Sequence, residues 1–397
     1  MALPYTKLQS GPPSNPPPDP PSKPSLTWRF GSSFIMGVTG AISRFFYYGL
    51  NNVEVIGLDR FMETLDKREN PENRERGLIT VSNHVSVMDD PLIWGVLPFK
   101  YGFNSSNHRW SLGSYDICFQ NKILSTFFTL GQVLPTHRSA YSENGGLFQP
   151  TIAQAIRMLS SQPFSKRYES QLRKTKISMR PQSPDLIDPF SSGDLTYSTN
   201  GIDVFPAPSA YTSRKHSWIH IFPEGRVHQH PKKTLRYFKW GISRLILESE
   251  PLPEIVPIFI DGNQDIMHES RGFPRFLPRT GKHVRIAFGE SIDGERIFGD
   301  LRTRWKKLVQ LQKEAMIRKG LDDNIEMGEL TEGLKYYKEA VALREEVTTR
   351  VRQEVLKVRK SLGYEDEDPK QGLVETWINE GRSDGKKKLD GSWVGDT

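Results

Sequence analysis

His84 and Asp89 are the two side chains of this sequence whose types and spacing best fit acid–base chemistry. They lie five residues apart in the stretch ITVSNHVSVMDDP, residues 79–91. A carboxylate that accepts from one imidazole nitrogen fixes the tautomer and leaves the other nitrogen to take a proton from a hydroxyl. We therefore predict that His84 is a general base oriented by Asp89, and that the substrate supplies the hydroxyl. The alternative is a turn histidine beside an aspartate that merely favours a helix start.

The residues around this pair predict a strand, a turn and a helix. Residues 78–81, LITV, have the apolar, β-branched composition of a buried strand. Asp90 and Pro91 follow in the order of an N-cap residue and a first helical position. On one straight helix, side chains five residues apart would point about 140° away from each other. A turn between strand and helix allows the two side chains to meet.

A second strand and turn, residues 217–226, offers groups for binding a substrate. The run SWIHIF predicts a compact buried strand, and Pro223 begins a sharp turn. Gly225 permits close approach of the backbone to a ligand. Glu224 could accept hydrogen bonds from substrate hydroxyls, and Arg226 could bind a phosphate. The alternative is a plain loop with two exposed charges.

Arg138 follows a short predicted strand that ends at Pro135. A guanidinium there could bind a phosphate through two parallel hydrogen bonds, although a lone arginine is also a common surface charge. Cys118 is the single cysteine, so no disulfide can form within the chain. Its apolar context favours packing over a thioester intermediate. Ser86 is better explained by hydrogen bonding in the turn than as a nucleophile.

The composition predicts an anionic partner. The chain has 397 residues, a net charge of +7 and 36% hydrophobic residues, which is ample for a core. We find no zinc-ligand spacing, no aromatic–basic RNA motif and no helix-turn-helix signature, so we expect no nucleic-acid partner. We also expect no metal and no other cofactor. An anionic membrane surface is the partner that the charge favours.

Residues 1–25 form a proline-rich arm that we predict to be disordered. Residues 26–57 are predicted to anchor the chain to a membrane. The apolar stretch between residues 30 and 43 is shorter than the roughly 20 residues that span a bilayer. Its small and aromatic residues, with Arg44 beside them, favour a monotopic helix that enters one leaflet. An ordinary buried helix and a true membrane span are the alternatives.

Residues 58–320 are predicted to form one α/β catalytic domain, a mixed sheet flanked by helices. It is interrupted at residues 161–216 by a low-complexity insertion rich in Ser, Pro, Arg and Lys. Residues 329–362 predict an amphipathic helix that packs on the domain, self-associates into an oligomer or rests on a membrane. Residues 363–397 predict a disordered tail.

Four sequence blocks, in this order, resemble the glycerolipid acyltransferases of the lysophosphatidic-acid-acyltransferase type. The blocks are Asn83, His84, Ser86 and Asp89; Gly131, Val133 and Arg138; Phe222, Pro223, Glu224 and Gly225; and a strand around Pro257. The runs VSNHVSVMDDPLIWG, DICF, HIFPEGRV and FKWGISRLI more narrowly resemble the phospholipid–lysophospholipid transacylases that remodel cardiolipin. The resemblance covers residues 26–160 and 217–291.

The resemblance implies an acyltransferase fold in which His84 is the base on a lysophospholipid hydroxyl and Asp89 supports it. It implies that the donor is another phospholipid, that no acyl-CoA is consumed, and that the enzyme lies on mitochondrial membranes, outer and inner, facing the intermembrane space. It further implies a substrate-binding set of Asn83, Ser86, Arg138, Phe222, Pro223, Glu224, Gly225, Arg226 and Pro257. An acyl-CoA-dependent lysophospholipid acyltransferase uses the same four blocks. A non-catalytic membrane-binding protein with a relict motif is the third hypothesis.

Overall fold

A computed structural model of the chain describes residues 23–162, 186–187, 196–377 and 391–395. The strands are β1 (Asn52–Ile56), β2 (Leu78–Ser82), β3 (Arg109–Ser114), β4 (Val133–Thr136), β5 (Leu186–Ile187), β6 (Thr196–Tyr197), β7 (Phe205–Pro206), β8 (Trp218–Ile221), β9 (Val227–Gln229), β10 (Glu254–Asp261), β11 (His283–Phe288) and β12 (Trp393–Gly395). The α-helices are α1 (Leu26–Leu50), α2 (Leu58–Lys67), α3 (Asp89–Leu92), α4 (Phe99–Gly102), α5 (Tyr115–Cys118), α6 (Lys122–Leu130), α7 (Pro150–Leu159), α8 (Gly241–Glu248), α9 (Asn263–Ile266), α10 (Gly294–Arg318), α11 (Glu332–Tyr336) and α12 (Lys338–Ser361).

Seven strands form the central sheet, in the order β1-β11-β10-β2-β8-β3-β4. Only β10 and β11 pair antiparallel in this sheet, and the other neighbours are parallel. The five strands from β10 to β4 therefore run in one direction, and their carboxyl ends meet at one edge. The predicted mixed sheet flanked by helices is confirmed.

The sheet has a core on each face because buried apolar side chains alternate along its strands. In β10, Ile255 and Phe259 face one core, which α7, α8, α10 and α12 cover. Val256, Ile258 and Ile260 face the other core, to which α1 and α2 contribute Tyr47, Phe61 and Leu65. Each fully buried side chain of this size stabilises the fold by about 1.5–3 kcal/mol. The cores on both faces therefore support the carboxyl ends of the strands, where the predicted site residues lie.

Helix α1 has one packed face and one exposed apolar face. Its N-cap residue is Ser25, whose hydroxyl accepts from the N–H of Trp28 at 3.3 Å. Met36, Ser43 and Tyr47 are buried against the domain. The outward face carries a stripe of apolar side chains at helical spacing: Leu26, Phe30, Phe34, Val38, Ile42 and Phe45. None of the helices in the described ranges combines the length and the apolar character that crossing a bilayer requires.

The C-terminal region packs on the domain, which was one of the three alternatives, but it differs from its prediction in forming two helices. Residues 329–362 form two helices, α11 and α12, because the backbone of Tyr337 is extended (φ −63°, ψ 141°). Helix α12 buries Val347, Val351 and Val355 in the core of the catalytic domain, so it is an integral layer of that domain.

The prediction of a disordered tail is corrected for the two segments that the structure describes. Glu367 forms an ion pair with Arg352 of α12, and β12 pairs antiparallel with β9. Residues 378–390 and 396–397 lie outside the described residues.

Part of the predicted insertion is also folded. Strands β5, β6 and β7 form a small antiparallel sheet. Tyr197 and Arg214 are buried, and residues 196–216 therefore belong to the folded domain rather than to a low-complexity loop. Residues 163–185 and 188–195 of the insertion, and residues 1–22 of the predicted arm, lie outside the described residues.

Candidate active site

The carboxyl ends of the parallel strands bring most of the predicted residues to one edge. His84 follows β2, the turn at residues 222–226 follows β8, and Arg138 follows β4. Asn263, which was not predicted, follows β10. Ligands of open α/β sheets bind outside the carboxyl ends of the strands. The fold therefore favours a substrate site at this edge.

His84 and Asp89 form the predicted hydrogen bond. Nδ1 of His84 lies 2.9 Å from Oδ2 of Asp89. The same oxygen accepts from the backbone N–H groups of Val85 at 2.7 Å and Ser86 at 2.9 Å. Asp89 is completely buried, whereas the imidazole is 21% exposed. The turn thus fixes the carboxylate, and the pairing at Nδ1 leaves Nε2 to meet a substrate hydroxyl.

A relay of two buried side chains holds the other carboxylate oxygen. The amide of Asn263 donates to Oδ1 of Asp89 at 2.9 Å. Its own Oδ1 accepts from the hydroxyl of Tyr47 at 2.8 Å. Burial raises the pKa of Tyr47 well above its ordinary value, so the phenol remains a donor at neutral pH. The sequence analysis predicted neither residue. Asn263 could have been predicted from its position just after the strand around Pro257, because His84 also follows a predicted strand.

Glu224 supports His84 from inside the protein. One carboxylate oxygen accepts from the backbone N–H of His84 and the other from that of Arg236, both at 2.8 Å. The side chain is 1% exposed. The predicted hydrogen bonds to substrate hydroxyls are therefore replaced by bonds to the backbone. Because the backbone N–H of His228 also donates to the carbonyl of His84 at 2.8 Å, the two turns are fastened together.

An aromatic stack positions the imidazole from the side. The ring of Phe222 stacks on His84 with centroids 4.4 Å apart, and its other neighbour is the edge of His220, also at 4.4 Å. Burial lowers the pKa of His220 to about 3, so this ring is neutral at physiological pH. His220 shares a hydrogen bond with the hydroxyl of Thr80 at 2.8 Å. Phe222 therefore fixes the imidazole of His84 through its ring.

Both the backbone conformation and the space around position 225 require a glycine there. Its φ is +65°, a conformation that side chains disfavour. A Cβ atom there would lie 2.7 Å from Nζ of Lys239. The group that approaches Gly225 is the side chain of Lys239, and the predicted approach of a ligand stays a prediction. Pro223 is buried beside it, and its carbonyl accepts from the N–H of Lys239 at 2.7 Å.

Three residues predicted to bind substrate lie within the framework of the site. The amide of Asn83 makes two hydrogen bonds with the backbone of Ile260, both of 2.8 Å. Ser86 is completely buried, and its hydroxyl accepts from the N–H of Met88 at 3.2 Å. Pro257 is buried in the middle of β10. The structure thus assigns these three residues contacts that hold the turn and the sheet together.

Asp90 has the extended backbone of a residue that precedes a helix (φ −102°, ψ 108°), but α3 already begins at Asp89. We had predicted that Asp90 caps the helix. Its carboxylate instead accepts from the indole of Trp94 at 2.9 Å and pairs with Arg109. Burial is the largest influence on the pKa of Asp90 and raises it, but the charge of Arg109 and the hydrogen bonds from Arg109 and Ser111 are among the effects that together hold the pKa below its usual value. The correction is local and leaves the turn intact.

The two predicted phosphate ligands lie at different distances from the base. Arg138 is three strands from β2, about 14 Å at the usual strand spacing. It donates to Asp116 at 3.1 Å, and its guanidinium lies 4.2 Å from the ring of Tyr141. Arg226 is half-buried on the same turn as Glu224. That turn follows β8, the strand next to β2, so Arg226 is the nearer cation across the sheet.

Cys118 lies at the carboxyl edge of the sheet after β3. Burial raises the pKa of its thiol to about 12, so the thiolate that a thioester intermediate needs does not form at neutral pH. The part of this arrangement suited to accept a proton from an alcohol is the imidazole of His84, hydrogen-bonded to Asp89.

Comparisons with known proteins show a likeness to acyltransferases. The family model described as acyltransferase matches residues 53–178, a range that contains His84, Asp89 and Arg138. Tafazzin of Saccharomyces cerevisiae is 33% identical over 381 residues, which are 93% of this chain and 88% of the relative. Tafazzin of Drosophila melanogaster is 29% identical over 281 residues, 71% of this chain and 56% of the relative. The N-acylphosphatidylethanolamine synthase of Arabidopsis thaliana is 28% identical over 218 residues, 54% of this chain and 56% of the relative.

Proposed function

This chain belongs to the tafazzin family and is an acyltransferase of lipid metabolism, and on that premise we propose that it is a CoA-independent transacylase. It moves a fatty acyl chain from a phospholipid to a lysophospholipid and remodels cardiolipin through monolysocardiolipin. The observation that carries this proposal is the hydrogen bond between His84 and the buried Asp89 at the carboxyl edge of the sheet. That pair activates a hydroxyl, and a lysophospholipid supplies one.

The proposed reaction exchanges one ester for another. Nε2 of His84 takes the proton of the lysophospholipid hydroxyl as its oxygen attacks the acyl carbonyl of the donor. The tetrahedral intermediate then expels the glycerol oxygen of the donor, which recovers the proton from the imidazolium. Asp89 stabilises the imidazolium between these two steps. One ester forms and one breaks, so the reaction consumes no acyl-CoA.

The oxyanion of the intermediate needs preorganised donors. The turn at residues 222–225 is our candidate for them because it lies beside His84. The N–H of Gly225 is already taken by the carbonyl of Phe222 at 3.1 Å. We therefore propose that donors around this turn other than the N–H of Gly225 bind the oxyanion.

Membrane binding belongs to the same proposal, because both substrates are lipids. The exposed stripe of α1 would enter one leaflet, so that the chain is monotopic. Phe30 of this stripe is 77% exposed, and Ile123 of the neighbouring α6 is 81% exposed. Basic residues near anionic lipids would add about 1 kcal/mol each. From the family resemblance we further propose mitochondrial membranes, outer and inner, with the site facing the intermembrane space.

Acyl transfer in CoA-free liposomes tests the proposal. The donor is labelled phosphatidylcholine, the acceptor is monolysocardiolipin, and wild type is compared with His84→Ala. We expect transfer by wild type and a loss of about 10²- to 10⁴-fold in the variant, as for other general bases. The matched control is His283→Ala, which removes a half-exposed histidine of β11.

Two other results would replace the proposal. Transfer that appears only after acyl-CoA is added would identify an acyl-CoA-dependent lysophospholipid acyltransferase. Equal behaviour of wild type and His84→Ala, with both bound to the vesicles, would indicate a membrane-binding protein in which His84 is structural.

A further inference from the structure

A cavity of about 300 Å³ lies outside the site of His84. The beginning of α1, strands β3 and β4, and residues 196–214 enclose it. Its walls are largely apolar, and they include Trp28, Trp110, Val133, Leu134 and Phe205. Its lining shares no residue with the cluster of His84, Asp89 and Glu224. A volume of this size is at the lower end of pockets that bind small molecules.

Arg214 is a buried cation in the wall of this cavity. It is 5% exposed, and its guanidinium lies 4.8 Å from the ring of Trp28 and 5.3 Å from that of Trp110. One nitrogen donates to the carbonyl of Ser105 at 3.2 Å. Across the described ranges, no carboxylate lies within ion-pair distance of Arg214. Donors of this guanidinium are thus left for an acceptor in the cavity.

The surroundings of Arg214 add to the cost of burying its charge. Burial, with a smaller contribution from the neighbouring charge of Arg29, lowers its pKa to about 10, and the group is still charged at neutral pH. Arg74 is a further cation that interacts electrostatically with Arg214. A buried charge without a counter-ion is unfavourable, and an anion that entered the cavity would remove much of that penalty.

We propose that this cavity binds a single-chain anionic amphiphile, with its acidic head at Arg214 and its alkyl chain against the apolar walls. Charge complementarity selects the head, and the tryptophan rings and Val133 select the chain. The ligand enters from the lipid phase in this proposal, because α1 and α6 line the cavity through Trp28 and Thr129. Both helices also expose apolar side chains beside it. The head is the carboxylate of a free fatty acid or the phosphate of a lysophospholipid.

Photo-crosslinking on the full chain in vesicles tests this site. The probe is undecanoate with a terminal diazirine, and labelled residues are located by mass spectrometry. We expect labels on Thr129, Val133 or residues 196–208, and none there from the matching neutral alcohol. Arg214→Met should reduce this labelling by about tenfold or more, because the charge-assisted hydrogen bond is lost. Arg275→Met, at an exposed position outside the cavity, is the matched control.

Two further variants keep the test decisive if Arg214→Met does not fold. Arg214→Lys keeps the charge and should retain labelling, whereas Thr129→Trp fills the cavity from the surface helix α6 and should abolish it. Labelling by the alcohol equal to that by the acid, or labelling that survives Thr129→Trp, would overturn the proposal.

Competition identifies the source of the ligand. Displacement of the probe by dodecanoate supports a fatty acid, and displacement by lauroyl lysophosphatidate supports a lysophospholipid. Displacement by both supports recognition of the anionic head in either molecule. If neither competes, the cavity does not bind this class of ligand.

Discussion

Tyr47 of α1 and Asp89, which is hydrogen-bonded to His84, are joined through one side chain, that of Asn263. Tyr47 lies on the packed face of the helix whose opposite face is proposed to contact lipid. The same helix therefore contributes to the proposed membrane surface and to the orientation of the base.

Removal of this relay should reduce the rate of transfer with little effect on substrate binding. In Asn263→Leu, Oδ1 of Asp89 loses a donor, and an unsatisfied buried acceptor costs about 1–3 kcal/mol. We expect kcat to fall by about tenfold or more while KM stays constant, and Tyr47→Phe to have a smaller effect in the same direction. Steady-state kinetics measure the split, and Tyr48→Phe on the same helix is the control. Equal losses in Tyr48→Phe and Tyr47→Phe would show that the relay has no special role.

Glu224→Gln should lower stability and activity together. Both carboxylate oxygens accept from backbone N–H groups, and the glutamine amide would turn a donor toward one of them. We expect a loss of about 1–3 kcal/mol in the free energy of unfolding, measured by chemical denaturation. Glu63→Gln, at an exposed position, should change neither quantity. A raised KM at unchanged stability would instead favour the direct contact with substrate that the sequence predicted.

Stability should decrease in mild acid. Burial lowers the pKa values of His108 and His220 to about 3, from an ordinary value of 6.5. Between these values the unfolded chain binds more protons than the folded chain, so stability is complete above about pH 6.5 and is lost progressively toward about pH 3. The urea concentration at the unfolding midpoint should therefore decrease when the pH is lowered from about 7.5 to about 5. His220→Gln should flatten this dependence, and His283→Gln, on the surface, should not.

The apolar stripe of α1 should determine vesicle binding. Phe30 and Phe34 are 77% and 55% exposed, so their replacement by serine should leave the unfolding midpoint nearly unchanged. Each phenylalanine buried in lipid contributes about 1.5–3 kcal/mol, and we expect the double variant to bind vesicles at least about tenfold more weakly in co-sedimentation. The control replaces Phe273 and Phe276, which are also exposed but lie in a loop far along the chain. An equal loss in the control would place the membrane surface elsewhere.

The sequence predicted the parts of this site that depend on nearby residues. His84 and Asp89 are five residues apart, and the strand–turn–helix pattern that joins them is local. Asn263 is 174 residues from Asp89, and Tyr47 is 216 residues from Asn263. Only the order of the strands and the packing of α1 on the sheet bring these three side chains together. The role of Glu224 was missed for a different reason. Glutamate is usually exposed, and its burial follows from two backbone donors that no pattern of residue types reveals.

Helix α12 has a consequence for the synthesis of the chain. Every residue assigned to the catalytic cluster, from His84 to Asn263, has left the ribosome before residues 338–361 are made. Yet Val347, Val351 and Val355 of that helix fill the core under the sheet. A message with a stop codon just before residue 338 would therefore encode the complete set of proposed catalytic side chains on a sheet whose one face has lost part of its cover. We expect such a product to be recognised as misfolded and degraded, so that its loss of function appears as missing protein.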